Sequence, residues 1–188
     1  IIVVLSLAVQ FPLTLWLALL LNRQIPGRAV LRLILFTPYV LSEVITAISW
    51  QLMLQPDGFA DQIMHSIGLG GVVQLWLADK SIVLYTMFIV ITWKYLGFGI
   101  LLFLAGLQNI PQELRESAAL DGASSAQVTR HITVPLLGPT IRIWAFLSII
   151  GSLQLFDLIK IMTDGGPSNA SETMATYLID RGFERYQF

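Results

Sequence analysis

The chain has 188 residues, 55% of them hydrophobic and only 12% charged, about half the roughly 25% charge of a soluble domain. With a mean hydropathy of +0.73, there are too few charges to coat a soluble globule. A net charge of −1 excludes broad attraction to nucleic acid, and the lack of cysteine excludes disulfide frameworks, thiol nucleophiles and thiolate metal sites. The two histidines, His65 and His131, stand far apart and form no HExxH-type pair. No catalytic, cofactor or metal site is expected. The sequence begins inside an apolar run without an initiator Met, and it reads as a piece of a longer protein.

A helix that crosses a bilayer needs roughly 20 mostly apolar residues. Ile1 to Leu21 is such a run, with no charge and without the basic flank or small-residue cleavage site of a signal peptide. Leu33 to Leu54 is a second run, with Glu43 its only charge. Ile82 to Leu107 is a third, with Lys94 its only charge. Leu136 to Met162 is a fourth, carrying Arg142 near its start and Asp157 and Lys160 near its end. Ser171 to Phe188 begins a helical pattern. Asp180, Arg181, Glu184 and Arg185 make that pattern too polar to span. Trp16, Trp50, Trp76 and Trp93 fall near run ends or mid-run; some of them suit interfacial anchors, but Trp93 is too central.

The connections set an orientation. The segments 22–32 and 108–133 hold Arg23, Arg28, Arg32, Arg115 and Arg130, with Arg142 just beyond. Pro56 to Ser81 and the tail hold only Lys80, Arg181 and Arg185. Short loops rich in Lys and Arg stay in the cytoplasm. Residues 22–32 and 108–133 are therefore expected there, and alternation along the chain agrees.

The second of these connections has a definite local pattern. Pro111 suits a first helical position, with Gln112 and Glu113 in the first turn. Gly122 suits the left-handed residue past a helix end, and Ser124 or Ser125 suits the cap of the next helix. Pro135 and Pro139 are expected to bend the entry to the fourth span. Ser117, Ala118 and Ala119 keep the first helix slim enough to press into a groove on another protein; a plain amphipathic linker on the membrane surface would look similar.

The run Glu116-Ser-Ala-Ala-Leu-Asp-Gly-Ala123, followed by Ile132-Thr-Val-Pro-Leu136, resembles the EAA loop of inner-membrane permease subunits of binding-protein-dependent ABC importers. Ser117 and Val134 depart mildly from the family's usual Ala and Leu. Pro26-Gly-Arg28, Pro38-Tyr-Val40, Leu54-Gln-Pro-Asp-Gly58, Ala105-Gly-Leu-Gln-Asn-Ile-Pro111 and Met162-Thr-Asp-Gly-Gly-Pro167 look like the carbohydrate branch, of maltose and glycerol-phosphate permease type with a MetI-like transmembrane domain. The resemblance implies an all-α polytopic transmembrane helix bundle over 1–188, a single permease domain incomplete at both ends, with a coupling loop at about 108–135. It also implies half of a pathway for a mono- or oligosaccharide. The implied partners are two ATP-binding subunits, a second permease making a heterodimer, an extracytoplasmic solute-binding protein and the lipid bilayer. ATPase coupling then falls to Glu116, Ala118, Ala119, Asp121, Gly122 and Ala123. No GxxxxGK[ST] phosphate loop is present, so ATP hydrolysis is expected on a partner. The alternative is a secondary transporter or channel without an ATPase, which leaves the EAA-like loop unexplained.

Ionisable groups inside a membrane face a cavity or a partner. Glu43 and Lys94 fall near the middle of their runs with opposite charges. Tyr39 shares a face with Glu43, and Phe98 with Lys94, with Tyr95 adjacent. Gly151, Gln154 and Asp157 form a stripe on a continuous fourth helix. Tyr39, Glu43, Lys94, Tyr95, Phe98, Gln154 and Asp157 thus offer hydroxyl partners and aromatic faces to a sugar. A second reading also stands: a Glu43–Lys94 ion pair that only locks helices together, with Gln154 and Asp157 at a helix interface. Gly165-Gly166-Pro167 follows a span rather than a strand and reads as an outer turn, not a phosphate cradle.

Overall fold

A computed structural model describes residues 1–23, 26–72 and 74–184. Among these residues every regular element is helical. Arg185, assigned above to the polar tail, lies outside the described residues, as does part of the 22–32 segment.

Helix α1 (Ile2–Leu21) is long and apolar enough to cross a membrane. Its inner stripe is small or polar: Ser6, Gln10, Thr14 and Ala18 are buried, followed by Leu21. Val4, Leu13, Trp16 and Leu20 point outward. This inversion of the soluble pattern belongs to a helix bathed in hydrocarbon. There, small side chains allow close packing, and a hydroxyl must find an acceptor. Thr14 Oγ1 donates to the Gln10 carbonyl at 2.6 Å. A π-helical turn at Ser6–Gln10 widens the helix. The widening offsets part of the drift of about 40° that an i,i+4 stripe accumulates per step on a 3.6-residue turn.

Helices α2 (Arg28–Val40) and α3 (Glu43–Met53) share the second apolar run. The amphipathic helix α4 (Phe59–Ser66) lies in the following connection. Helix α5 (Val83–Gln108) is the axis of the bundle, and over half of its most apolar window is buried. One half of α5, with Val83, Met87, Val90 and Ile91, packs with Ile2, with Ala47 of α3, and with Leu158, Ile159 and Met162. The other half, with Ile100, Phe103, Leu104 and Leu107, packs with Ala18, Leu21, Leu137 and Trp144. Between the two cores lies Gly97. A Cβ there would collide with the Leu35 carbonyl oxygen and stand 2.6 Å from the Phe36 Cα, so α2 crosses α5 backbone against backbone.

Beyond α5 come α6 (Gln112–Leu120), α7 (Ser125–Leu136), α8 (Gly138–Leu153), α9 (Asp157–Met162) and α10 (Met174–Ile179). Helices α7 and α8 meet at 64°, the bend predicted from Pro135 and Pro139.

Two expectations are corrected. The second run is not one straight helix: α2 and α3 meet at 99° across Leu41 and Ser42. Pro38 has no N–H to give to the preceding turn, and Ser42 restarts the helix by accepting from the Ile45 N–H at 3.2 Å. The fourth run is also broken. Helix α8 stops at Leu153, and α9 begins at Asp157. Among the described residues, α1 and α5 have by themselves the length and apolarity to cross a membrane; each bent pair counted as one span brings the total to four.

Candidate functional site

The first break gathers five of the residues predicted to line a pathway. Leaving α2, the backbone turns extended at Leu41 and frees its carbonyl. Lys94 Nζ, from the middle of α5, donates to that oxygen at 2.6 Å. It also stands 4.0 Å from Glu43 Oε1, with the lysine side chain 3% exposed and the glutamate 33%. Glu43 is the first residue of α3 and receives the hydroxyl of Tyr95. A cation at the end of α2 and an anion at the start of α3 each complement a helix dipole. Charge therefore pins the break on both sides.

Aromatic rings cover this polar knot. Tyr39 stacks on Phe98 with centroids 4.9 Å apart, and meets Tyr95 edge to face at 6.1 Å. Phe36 lies 5.5 Å from Tyr39. Of the two readings the sequence leaves open, the structure places Lys94 and Glu43 within ion-pair distance, with the rings of Tyr39, Tyr95 and Phe98 beside them. Lys94 is buried and committed, whereas Glu43 and Tyr39 keep exposed surface.

The second break repeats the first in outline. Helix α8 ends, Phe156 adopts φ −125° and ψ −64°, and α9 starts with an acid, Asp157. The Leu155 carbonyl freed by the break accepts the hydroxyl of Thr173 at 2.7 Å. Helices α3 and α9 pack against one another through Ala47, Leu158 and Ile159, which brings the two broken segments side by side. Gln154 closes α8 rather than sharing its face. The predicted Gly151–Gln154–Asp157 stripe on one helix is therefore corrected: Gln154 and Asp157 are both exposed but flank a break. Lys160 pairs with Asp164 at 2.7 Å and Asp180 at 3.3 Å, which ties α9 to the start of the tail.

The loop beyond α5 is built differently. Pro111 is the N-cap, one place before its predicted position, and α6 runs Gln112–Leu120 without a buried residue. Leu120 is 90% exposed. Gly122 has φ +83°, and a Cβ added there would meet nothing within 4 Å, so the turn needs glycine for its backbone and not for space. Ser124 then caps α7: its hydroxyl accepts from the Gln127 N–H at 3.4 Å, and Gln127 Oε1 accepts from the Ser124 N–H at 2.7 Å. Glu116, Ala119, Asp121 and Gly122 are exposed, and Ala118 and Ala123 half-buried. Asp121, Gly122 and Ala123 line a hollow of about 300 Å³ with Gln127, Val128 and His131.

Sequence reasoning missed two participants. Thr173 and the Leu41 carbonyl matter only through partners 18 and 53 positions away. The first break did leave a signal, since Pro38 followed by Ser42-Glu43 is a helix stop and restart.

Comparison with known proteins places this geometry. Residues 10–183 match the family described as binding-protein-dependent transport system inner membrane component. The chain is 48% identical over 109 residues to a putative ABC transporter permease protein of Caldicellulosiruptor sp., covering 58% of this chain and 78% of that one. It is 37% identical over 171 residues to the trehalose/maltose transport system permease protein of Thermococcus litoralis, covering 90% of this chain and 57% of that protein. A solved bacterial alginate ABC transporter, in complex with a periplasmic protein bound to alginate pentasaccharide, contains a chain that superposes with a TM-score of 0.87 at 26% identity, covering 99% of this chain and 65% of that one. The chain thus spans about three fifths of the length of the last two.

Proposed function

This chain belongs to the family of inner membrane components of binding-protein-dependent transport systems, and from that membership we propose that it forms half of the membrane pathway of a sugar ABC importer. The observation that carries the reading is α6. A helix that buries nothing, ends in a glycine-dependent turn and leads into a capped helix has a shape fixed locally and a surface left for a partner. That partner is a separate ATP-binding subunit. Glu116, Ala118, Ala119, Asp121, Gly122 and Ala123 form the seat, with residues 22–32 and 108–133 in the cytoplasm. The loop lies at about 108–135 of one permease domain over 1–188. ATP is hydrolysed by two such subunits, not by this chain. A second permease supplies the other half of the pathway, and an extracytoplasmic binding protein delivers the sugar.

Tyr39, Glu43, Tyr95, Phe98, Gln154 and Asp157 line the pathway, and Lys94, buried behind them, holds Glu43 and the Leu41 carbonyl in place. Aromatic rings beside carboxylates suit the C–H faces and hydroxyls of a mono- or oligosaccharide. The names of the Thermococcus relative and the alginate transporter support a carbohydrate.

Gly122→Asp in the complete transporter tests the coupling. The variant is expected to assemble, to hydrolyse ATP, and to lose uptake of labelled sugar in vesicles. Uptake at the wild-type rate per ATP hydrolysed would refute the assignment.

A further inference from the structure

The two breaks are unbalanced in charge. Each restarts its helix with an acid, Glu43 on α3 and Asp157 on α9, and the two helices pack side by side. Glu43 keeps exposed surface, and Asp157 is exposed. A carboxylate within an apolar run does not face lipid, and Asp157 has no salt bridge among the described residues. The cations of these runs are spent or distant. Lys94 is buried and donates to the Leu41 carbonyl at 2.6 Å. Lys160 is held by Asp164 and Asp180. Arg142 stands near the far end of α8, about 18 Å along the axis from Gln154 at the usual helical rise. The remaining groups are uncharged: Tyr39 stacked on Phe98, and the exposed amide of Gln154.

A neutral saccharide asks for hydrogen-bond acceptors and ring faces, and this surface offers both. A uronate or a sugar phosphate brings an anion to two carboxylates, with no unspent cation beside them. The low polarity of the surroundings strengthens that repulsion. We infer that this half of the pathway admits neutral saccharides and repels acidic or phosphorylated ones, with Glu43 and Asp157 as the residues that set the preference. The inference rests on the reading that these residues line the pathway.

The chain has no cysteine, so Gln154→Cys places a single reporter thiol in it, beside the second break. The complete transporter, with its other subunits free of cysteine, is held in neutral detergent so that reagents enter from either side. Three methanethiosulfonates are compared: neutral hydroxyethyl, cationic trimethylammonium-ethyl and anionic sulfonatoethyl. Each rate is divided by the rate with a free thiol in the same detergent. The neutral reagent then serves as the reference, which cancels any change in the thiol's own ionisation. The anionic reagent is expected to react about tenfold more slowly than the neutral one, and the cationic reagent faster. Asp157→Asn should recover part of the anionic rate. Adding Glu43→Gln should recover the rest, because Lys94 is then the charge that remains. Arg142→Gln should leave the ratio unchanged. The ratio with Gln154→Cys and its response to Asp157→Asn decide the matter even where Glu43→Gln lowers recovery of the complex. Equal rates for the anionic and neutral reagents, or a ratio that ignores Asp157→Asn, overturns the inference and leaves the pathway standing. A thiol closed to the neutral reagent as well sinks the pathway reading, and the inference with it.

Discussion

The break between α2 and α3 and the loop from α6 to α7 are both interruptions of helix, and they are held in opposite ways. At the break, Ser42 supplies a local cap, but the freed Leu41 carbonyl and the Glu43 carboxylate are answered from far along the chain, by Lys94 and Tyr95 of α5. In the loop, partners lie three residues apart, as with Ser124 and Gln127, and α6 buries nothing. An interruption within apolar surroundings must satisfy its freed backbone groups from within the protein. One in water needs only to hold a shape, and its surface stays available. The first arrangement suits a fixed lining, and the second suits a docking element.

The sharpest way to break this comparison is at Gly97. Any Cβ collides with the backbone of α2, which no side-chain adjustment relieves. Gly97→Val is expected to abolish recovery of assembled complex from membranes. Wild-type recovery would show that α2 does not rest on α5 as described.

Lys94→Met comes next. It leaves Glu43 without its cation and the Leu41 carbonyl without its donor. Leaving a buried acceptor unmet costs about 1–3 kcal/mol, read as a drop in the thermal midpoint of the purified complex. Adding Glu43→Gln should recover part of the loss, since no orphan charge remains. A double variant no better than the single one would contradict the pairing.

Ser124→Ala removes a local cap and should cost about 1 kcal/mol. Hydrogen exchange should rise at 125–128 and stay unchanged at the α2–α3 break. Spread of the effect into α5 would erase the contrast between the two regions.

The smallest effect is expected at Gln154→Ala. The side chain is exposed beside the second break, so complex abundance should be normal. Loss of one substrate hydrogen bond, on the order of 1 kcal/mol, should shift the apparent affinity of uptake several-fold. Uptake that falls only in step with recovered complex would make Gln154 structural.

How much was legible follows the same division. Apolar run length places α1 and α5, because the bilayer thickness and the rise per residue fix that length whatever the neighbours do. The loop could be read nearly residue by residue: Gly122 for the left-handed turn, Ser124 or Ser125 for the cap, where the structure uses Ser124, and Pro135 with Pro139 for the bend are local chemistry. Hydropathy could not reveal the breaks at Leu41–Ser42 and Gln154–Phe156, since it averages over a window and an interrupted run stays just as apolar. Nor could it choose between a pore-lining and a paired Lys94. That choice depends on α2 reaching α5 at Gly97, which delivers the Leu41 carbonyl to Nζ. The sequence by itself determined which segments have the length and apolarity of a span and where the loop's local turn and cap fall, because those depend on neighbours a few residues away. Only the tertiary structure decided where spans break and which buried charges meet, because a freed carbonyl or a lone charge in an apolar core persists only where a distant segment supplies its partner.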